Sequence, residues 1–140
     1  MILRCSFEEM KAVQAGARVA LTGLEGDRTA VAAPPSVRED IDHLTSTLDG
    51  DLGLSTLEEQ RTVERALRSV VGALRAELEV AVVASHPAAE PAVSAYFEFA
   101  HALTLLERVR NLGAEMEALI EVVTGEPPTP ESSRSFVFPD

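Results

Sequence analysis

Apolar residues recur along most of this chain at alternating spacings of three and four, the period of helices that bury one face. The first run follows Ser6, where S-F-E-E sets Glu9 at the third helical position and forms a capping box. Its stripe is Met10, Val13, Ala17, Ala20 and Leu24, and Gly23 and Gly26 close it, which predicts a helix over about 7–23. After a loop ending in Pro34-Pro35, Ser36 opens a second box, S-V-R-E. Val37, Ile41, Leu44 and Leu48 give that helix, about 37–48, one narrow stripe suited to a lid. Asp49 to Leu54 reads as a turn. Ser55 and Glu58 form a third box, from which helical pattern runs over about 56–85. His86 to Pro91 interrupts it, and a last helix runs over about 91–124 until Gly125 and Pro127.

The fold class that follows is mainly α: a helical bundle built on a long antiparallel hairpin, with two shorter N-terminal helices. At 1.5 Å per residue the long helices reach about 45 and 51 Å, against a radius of gyration near 14 Å for a compact domain of this size. The hairpin therefore projects from the domain or is shared between chains. Its second helix carries two apolar rows, Phe99, Ala102, Leu106, Val109, Gly113, Met116, Ile120, Val123 and, beside it, Leu105, Leu112, Leu119. One partner helix cannot cover both. Either the two short helices complete a four-helix bundle or a second copy does, and the expected state is a homo-oligomer, a dimer.

Residues 1–125 form the single helical domain and 126–140 an extended, proline-rich tail ending in R-S-F-V-F-P-D. Phe136 and Phe138 in that tail need apolar cover. One home is a small β-ribbon with M-I-L-R-C at the chain start; the other is a groove or strand edge on another subunit or a different protein.

Charge narrows the partners. With 23 acidic against 12 basic residues the formal net charge is -11, which repels phosphate backbones and anionic lipid, so no nucleic acid and no membrane is expected. No run approaches the 18 or so apolar residues of a membrane span, and no signal peptide is apparent. Cys5 is the only cysteine, which excludes an intrachain disulfide and fits a reducing cytoplasm. Arginine supplies 11 of the 12 basic residues and alanine is abundant, the coding bias of a GC-rich bacterial genome.

Candidate chemistry is sparse. Glu98 and His101 form an E-x-x-H pair on adjacent turns of one helix. Pairing the long helices about a turn near residues 87–88 sets Glu77 across from Glu98, and Glu77 occupies a slot in the otherwise apolar row Val63, Leu67, Val70, Leu74, Glu77, Ala81. Glu77, Glu98 and His101 would be half of a two-metal site, completed across a two-fold axis by a second chain and suited to iron or manganese. The string E-F-A-H-A-L-T-L-L-E is similar to metal-bearing helices of ferritin-like proteins, including encapsulated ones whose sites form between two-helix protomers. That resemblance covers about a third of one helix and lacks the second E-x-x-H of the ferritin pattern. The competing reading has Glu98 and His101 at the edge of the apolar face, with Glu77 reaching solvent or pairing with Arg75.

Other motifs fall away. Asp40 and His43 repeat the spacing on the solvated side of the lid helix. Asp49-Gly50-Asp51 begins like a calcium loop, but Leu54 and Gln60 stand where that loop requires glycine and glutamate. No phosphate loop, dinucleotide fingerprint or nucleophile elbow occurs. Cys5 lies in an apolar run and reads as a buried hydrophobe. The functional expectation is a non-enzymatic helical protein without cofactor that self-associates as a structural or interaction module; the alternative is a ferritin-like metal protein.

Overall fold

The computed structural model describes residues 2–22, 35–84 and 89–125. Its elements in chain order are β1 (Ile2–Arg4), α1 (Phe7–Thr22), α2 (Pro35–Thr47), β2 (Asp51–Gly53), α3 (Leu57–Ala84) and α4 (Glu90–Thr124). The long antiparallel hairpin is α3 with α4, and the two shorter helices pack on it. At 28 and 35 residues the hairpin arms are about 42 and 52 Å long, whereas α1 and α2, at 16 and 13 residues, span about 24 and 20 Å.

Local chemistry sets most helix starts. In the Ser6 box the Glu9 N–H donates to Ser6 Oγ at 3.1 Å, and the Ser6 N–H donates to Glu9 Oε1 at 2.8 Å. The third box is one residue later than expected. Thr56, rather than Ser55, accepts from the N–H of Glu59 at 3.1 Å, and Glu59 Oε2 accepts from the N–H of Ser55 at 3.2 Å. α2 already includes Pro35, which pre-sets its backbone for a first turn, so Ser36 lies inside the helix rather than ahead of it. Pro91 likewise sits in the first turn of α4 instead of ending the interruption, and Gly125 closes α4 in the left-handed conformation at φ 72°.

The core takes one stripe from each helix. Ala12, Val13 and Ala17 of α1, Ile41 and Leu44 of α2, Val63, Ala66, Leu67, Val70 and Leu74 of α3, and Ala102, Leu105, Leu106 and Val109 of α4 are buried together. Leu57, Met116 and Ile120 form a second, smaller cluster where α3 begins and α4 nears its end. α1 lies against both arms of the hairpin. α2 packs on α3 and α1, so the lid covers one arm of the hairpin.

A two-stranded antiparallel ribbon is present, and its second strand falls in a stretch that reads as a turn from sequence. β1 pairs with Asp51–Gly53, in register Ile2↔Gly53, Leu3↔Leu52, Arg4↔Asp51. That stretch reads as a turn from sequence because Asp49, Gly50 and Asp51 are turn formers. Gly50 does take φ 77°, but Leu52 and Leu54 then alternate into the core, which holds Asp51–Gly53 extended. Arg134 to Phe138, the partner expected for β1, lie outside the described residues.

Candidate functional site

Coverage of the hairpin stops well short of its closed end. On α3 the buried series ends at Leu74, which packs with Val70 around Gly16 of α1, although the helix continues to Ala84. A Cβ at Gly16 would stand 2.5 Å from Val70 Cγ1 and 2.9 Å from Leu74 Cγ, so only glycine lets the α1 backbone approach this closely. Past Leu74, Arg18 of α1 still acts on Glu77, and Ala92 and Ala95 of α4 are buried. Small residues there leave larger neighbours turned outward. Val80, Val82, Val83, Val93, Tyr96 and Phe97 are all exposed, Val83 at 88% and both aromatic residues above half. The Tyr96 and Phe97 rings meet edge to face, with centroids 5.9 Å apart. Between Glu79 and Glu90 the sequence carries no Asp, Glu, Lys or Arg. In a chain of charge -11 this apolar, uncharged end is the feature that most departs from an ordinary solvated surface.

Glu77, Glu98 and His101 sit at the base of that end. Glu77 is partly buried, and its Oε2 is buried with no hydrogen-bond partner among the described residues. Its carboxyl is pushed above its ordinary range, first by burial and then by the negative charge of Glu98, with Arg18 of α1 opposing. The expected register between Glu77 and Glu98 is thus felt electrostatically across the hairpin. Arg75, the alternative partner for Glu77, pairs instead with Glu79 at 3.5 Å.

Glu98 and His101 line a cleft of about 240 Å³ between α1 and α4, together with Glu8, Lys11, Ala12, Ser94 and Phe97; Glu77 is not part of its wall. Lys11 brings a cation into this cleft, with its ammonium 5.5 Å from the Phe7 ring centroid. Among the described residues no group of three or more His, Cys, Asp or Glu is placed to hold a metal ion. On α2, His43 is exposed as expected, and Asp40 accepts from Arg65 Nε at 3.2 Å. Phe136 and Phe138 lie outside the described residues.

One buried polar contact is missed by sequence reading. Glu9, 5% exposed, receives both of its oxygens' bonds from Arg108 Nη1, at 2.9 and 3.0 Å, while Arg108 Nη2 donates to the carbonyl of Arg4. One guanidinium therefore ties β1 and the first turn of α1 to the middle of α4. Cys5, beside this knot, is partly buried, and its N–H donates to the Gly50 carbonyl at 2.9 Å. Burial, then Glu9, push its thiol up to about 11 against the opposing Arg108 charge. At neutral pH it is a protonated hydrophobe, not a nucleophile.

Compared with known protein families, curated proteins and solved structures, the chain matches none. No helix among the described residues is long and apolar enough to cross a membrane.

Proposed function

We propose that this chain is a non-enzymatic helical protein that self-associates, as a dimer, through the closed end of the α3–α4 hairpin and serves as a structural or interaction module of the cytoplasm. The observation that carries this reading is the exposure of Val80, Val83, Val93, Tyr96 and Phe97 on the last turns of α3 and the first turns of α4. These residues expose on the order of 500 Å² per chain, so a two-fold pair would remove at most about 1,000 Å² in total, the lower end for a specific interface. Charge favours the same end. Two acidic chains repel each other over most of their surfaces, and the uncharged stretch between Glu79 and Glu90 lets them approach without that repulsion. A solution mass twice the 15.0 kDa of one chain, lost on Val83→Asp, is the expected result; a concentration-independent monomer contradicts the reading.

The orphaned oxygen of Glu77 favours a second reading. In a pair of chains joined near the hairpin base, Glu77, Glu98 and His101 of each copy would contribute carboxylate and imidazole ligands to iron or manganese, giving Glu77 Oε2 the partner it lacks. No single chain assembles such a group among the described residues, so this reading requires the dimer. It predicts stoichiometric metal in protein purified without chelator, lost on His101→Ala with the dimer intact. Metal-free dimer contradicts it.

A further inference from the structure

The outward face of α4 lacks the charge that the outward face of α3 carries. α3 turns Glu58, Arg65, Arg68, Arg75 and Glu79 to solvent, as a bundle helix ordinarily does. On α4 the line opposite the buried Ala102, Val109 and Met116 runs Val93, Phe97, Thr104, Glu107, Asn111, Ala118, Val122, at spacings of three, four and seven, and each of these residues is exposed. Glu107 is its one charged member. Ala100 and Ala114 fill the intervals, so the row is small along its middle and apolar at both ends, where Phe97 is 56% and Val122 82% exposed. Over about 44 Å it has the pattern of a coiled-coil seam.

We propose that α4 of a second copy packs antiparallel along this row, about a two-fold axis between Glu107 and Arg108. The pairing rests on the dimer proposed above and names what the closed end of each hairpin touches: the last turns of the other copy's α4. That axis sets Val93 against Val122, Tyr96 against Leu119, Phe97 against Ala118 and Thr104 against Asn111, so each phenylalanine meets a small side chain and polar residues meet near the middle. The exposed parts of these residues amount to on the order of 700 Å² per chain, about 1,400 Å² for the pair, within the range of a specific interface.

Charge selects the direction. In the antiparallel pair Glu107 stands against Arg108, which Glu9 holds in place with 38% of its side chain still exposed, and Glu115 stands against Ala100. A parallel pair would set Glu107 on Glu107 and Glu115 on Glu115. At 100° per residue Glu98, Arg110, Glu117 and Glu121 lie about 70° or more from the centre of the row, and Glu90 lies beyond its end. Beside Phe97, Glu8 and Lys11 of α1 carry opposite signs. The two His101 side chains stand about 20 Å apart along the seam, so a metal site shared between copies would count against this pairing.

Cysteine cross-linking of the full chain, with Cys5→Ala as background, tests it. Val93→Cys/Val122→Cys should give a covalent dimer on mild oxidation, on the order of tenfold more than either single variant, because Val93 meets Val122 of the other copy and not its own counterpart. Both sites are exposed, so helical content should be unchanged. Single variants that cross-link as readily as the double one overturn the antiparallel seam, and so does a dimer that no variant cross-links. A monomer by sedimentation overturns the dimer itself and the seam with it.

Discussion

Arg108 and Glu9, ninety-nine positions apart, meet in a two-pronged ion pair whose carboxylate also caps α1. Because Glu9 Oε1 accepts from both the Ser6 N–H and Arg108 Nη1, one oxygen joins a local helix signal to the tertiary fold. The pair is asymmetric: the Glu9 side chain is 6% exposed and that of Arg108 38%.

That asymmetry predicts unequal mutants. Arg108→Ala strands a buried carboxylate and should cost about 2–3 kcal/mol, less than a fully enclosed pair because the guanidinium is partly in water. In thermal denaturation this is a fall in Tm of about 5–10 °C. Glu9→Gln in the Arg108→Ala background should recover part of the loss, since it removes the stranded charge. If the double variant is no more stable than Arg108→Ala, the buried charge is not the source of the cost.

Three helical glycines should respond in opposite directions to alanine. Gly72 has nothing within 4 Å of a built Cβ, so Gly72→Ala gains helix propensity alone, about 0.5–1 kcal/mol. Gly16→Ala drives a methyl into Val70 and Leu74, and the overpacking of about 1–3 kcal/mol outweighs that gain. Gly113→Ala meets the Gln60 amide, whose Nε2 donates to the Val109 carbonyl at 2.9 Å, and would dislodge this buried bond. Urea midpoints should rise for Gly72→Ala and fall for the other two. A rise for Gly16→Ala would contradict the close crossing of α1 over α3.

Glu77 gives the fold a pH dependence of stated sign. Its carboxyl is raised above 4.5 in the folded chain, so the folded state takes up this proton first as pH falls. The contribution is thus unfavourable at neutral pH, is relieved as pH falls through the raised value, and is constant below the ordinary one. Glu77→Gln should stabilise the protein at pH 7, because it removes a charge that burial and Glu98 disfavour. The gain should shrink toward pH 4.5. Denaturation of both proteins at pH 7 and pH 5 checks it, and an equal gain at the two pH values would show that charge is not involved.

What sequence reading could reach follows from the range of each interaction. The four helices, the Ser6–Glu9 box and the Gly125 stop are encoded within a few residues, and all are where periodicity and capping chemistry put them. Boundaries slipped where two signals compete: Thr56 displaced Ser55 as the cap, and Pro35 began α2 before Ser36. The ribbon was half legible. β1 is extended as its apolar run suggests, but its partner Asp51–Gly53 is fixed by Leu52 and Leu54 entering a core that local turn chemistry does not reveal. At the candidate site, hairpin register put Glu77 opposite Glu98, and the Glu98 charge does act on the Glu77 carboxyl, though the cleft that holds Glu98 and His101 leaves Glu77 out. The Arg108–Glu9 pair, the Gly16 crossing and the length of uncovered hairpin depend on how helices far apart in sequence stack, and no local pattern carries that.

Self-association through the hairpin end is the central claim, and sedimentation equilibrium across a micromolar range tests it most directly. The natural chain should sediment at twice 15.0 kDa and Val83→Asp at 15.0 kDa, with unchanged helical content in both. A natural chain that stays at 15.0 kDa throughout, or a Val83→Asp variant that still pairs, would contradict it.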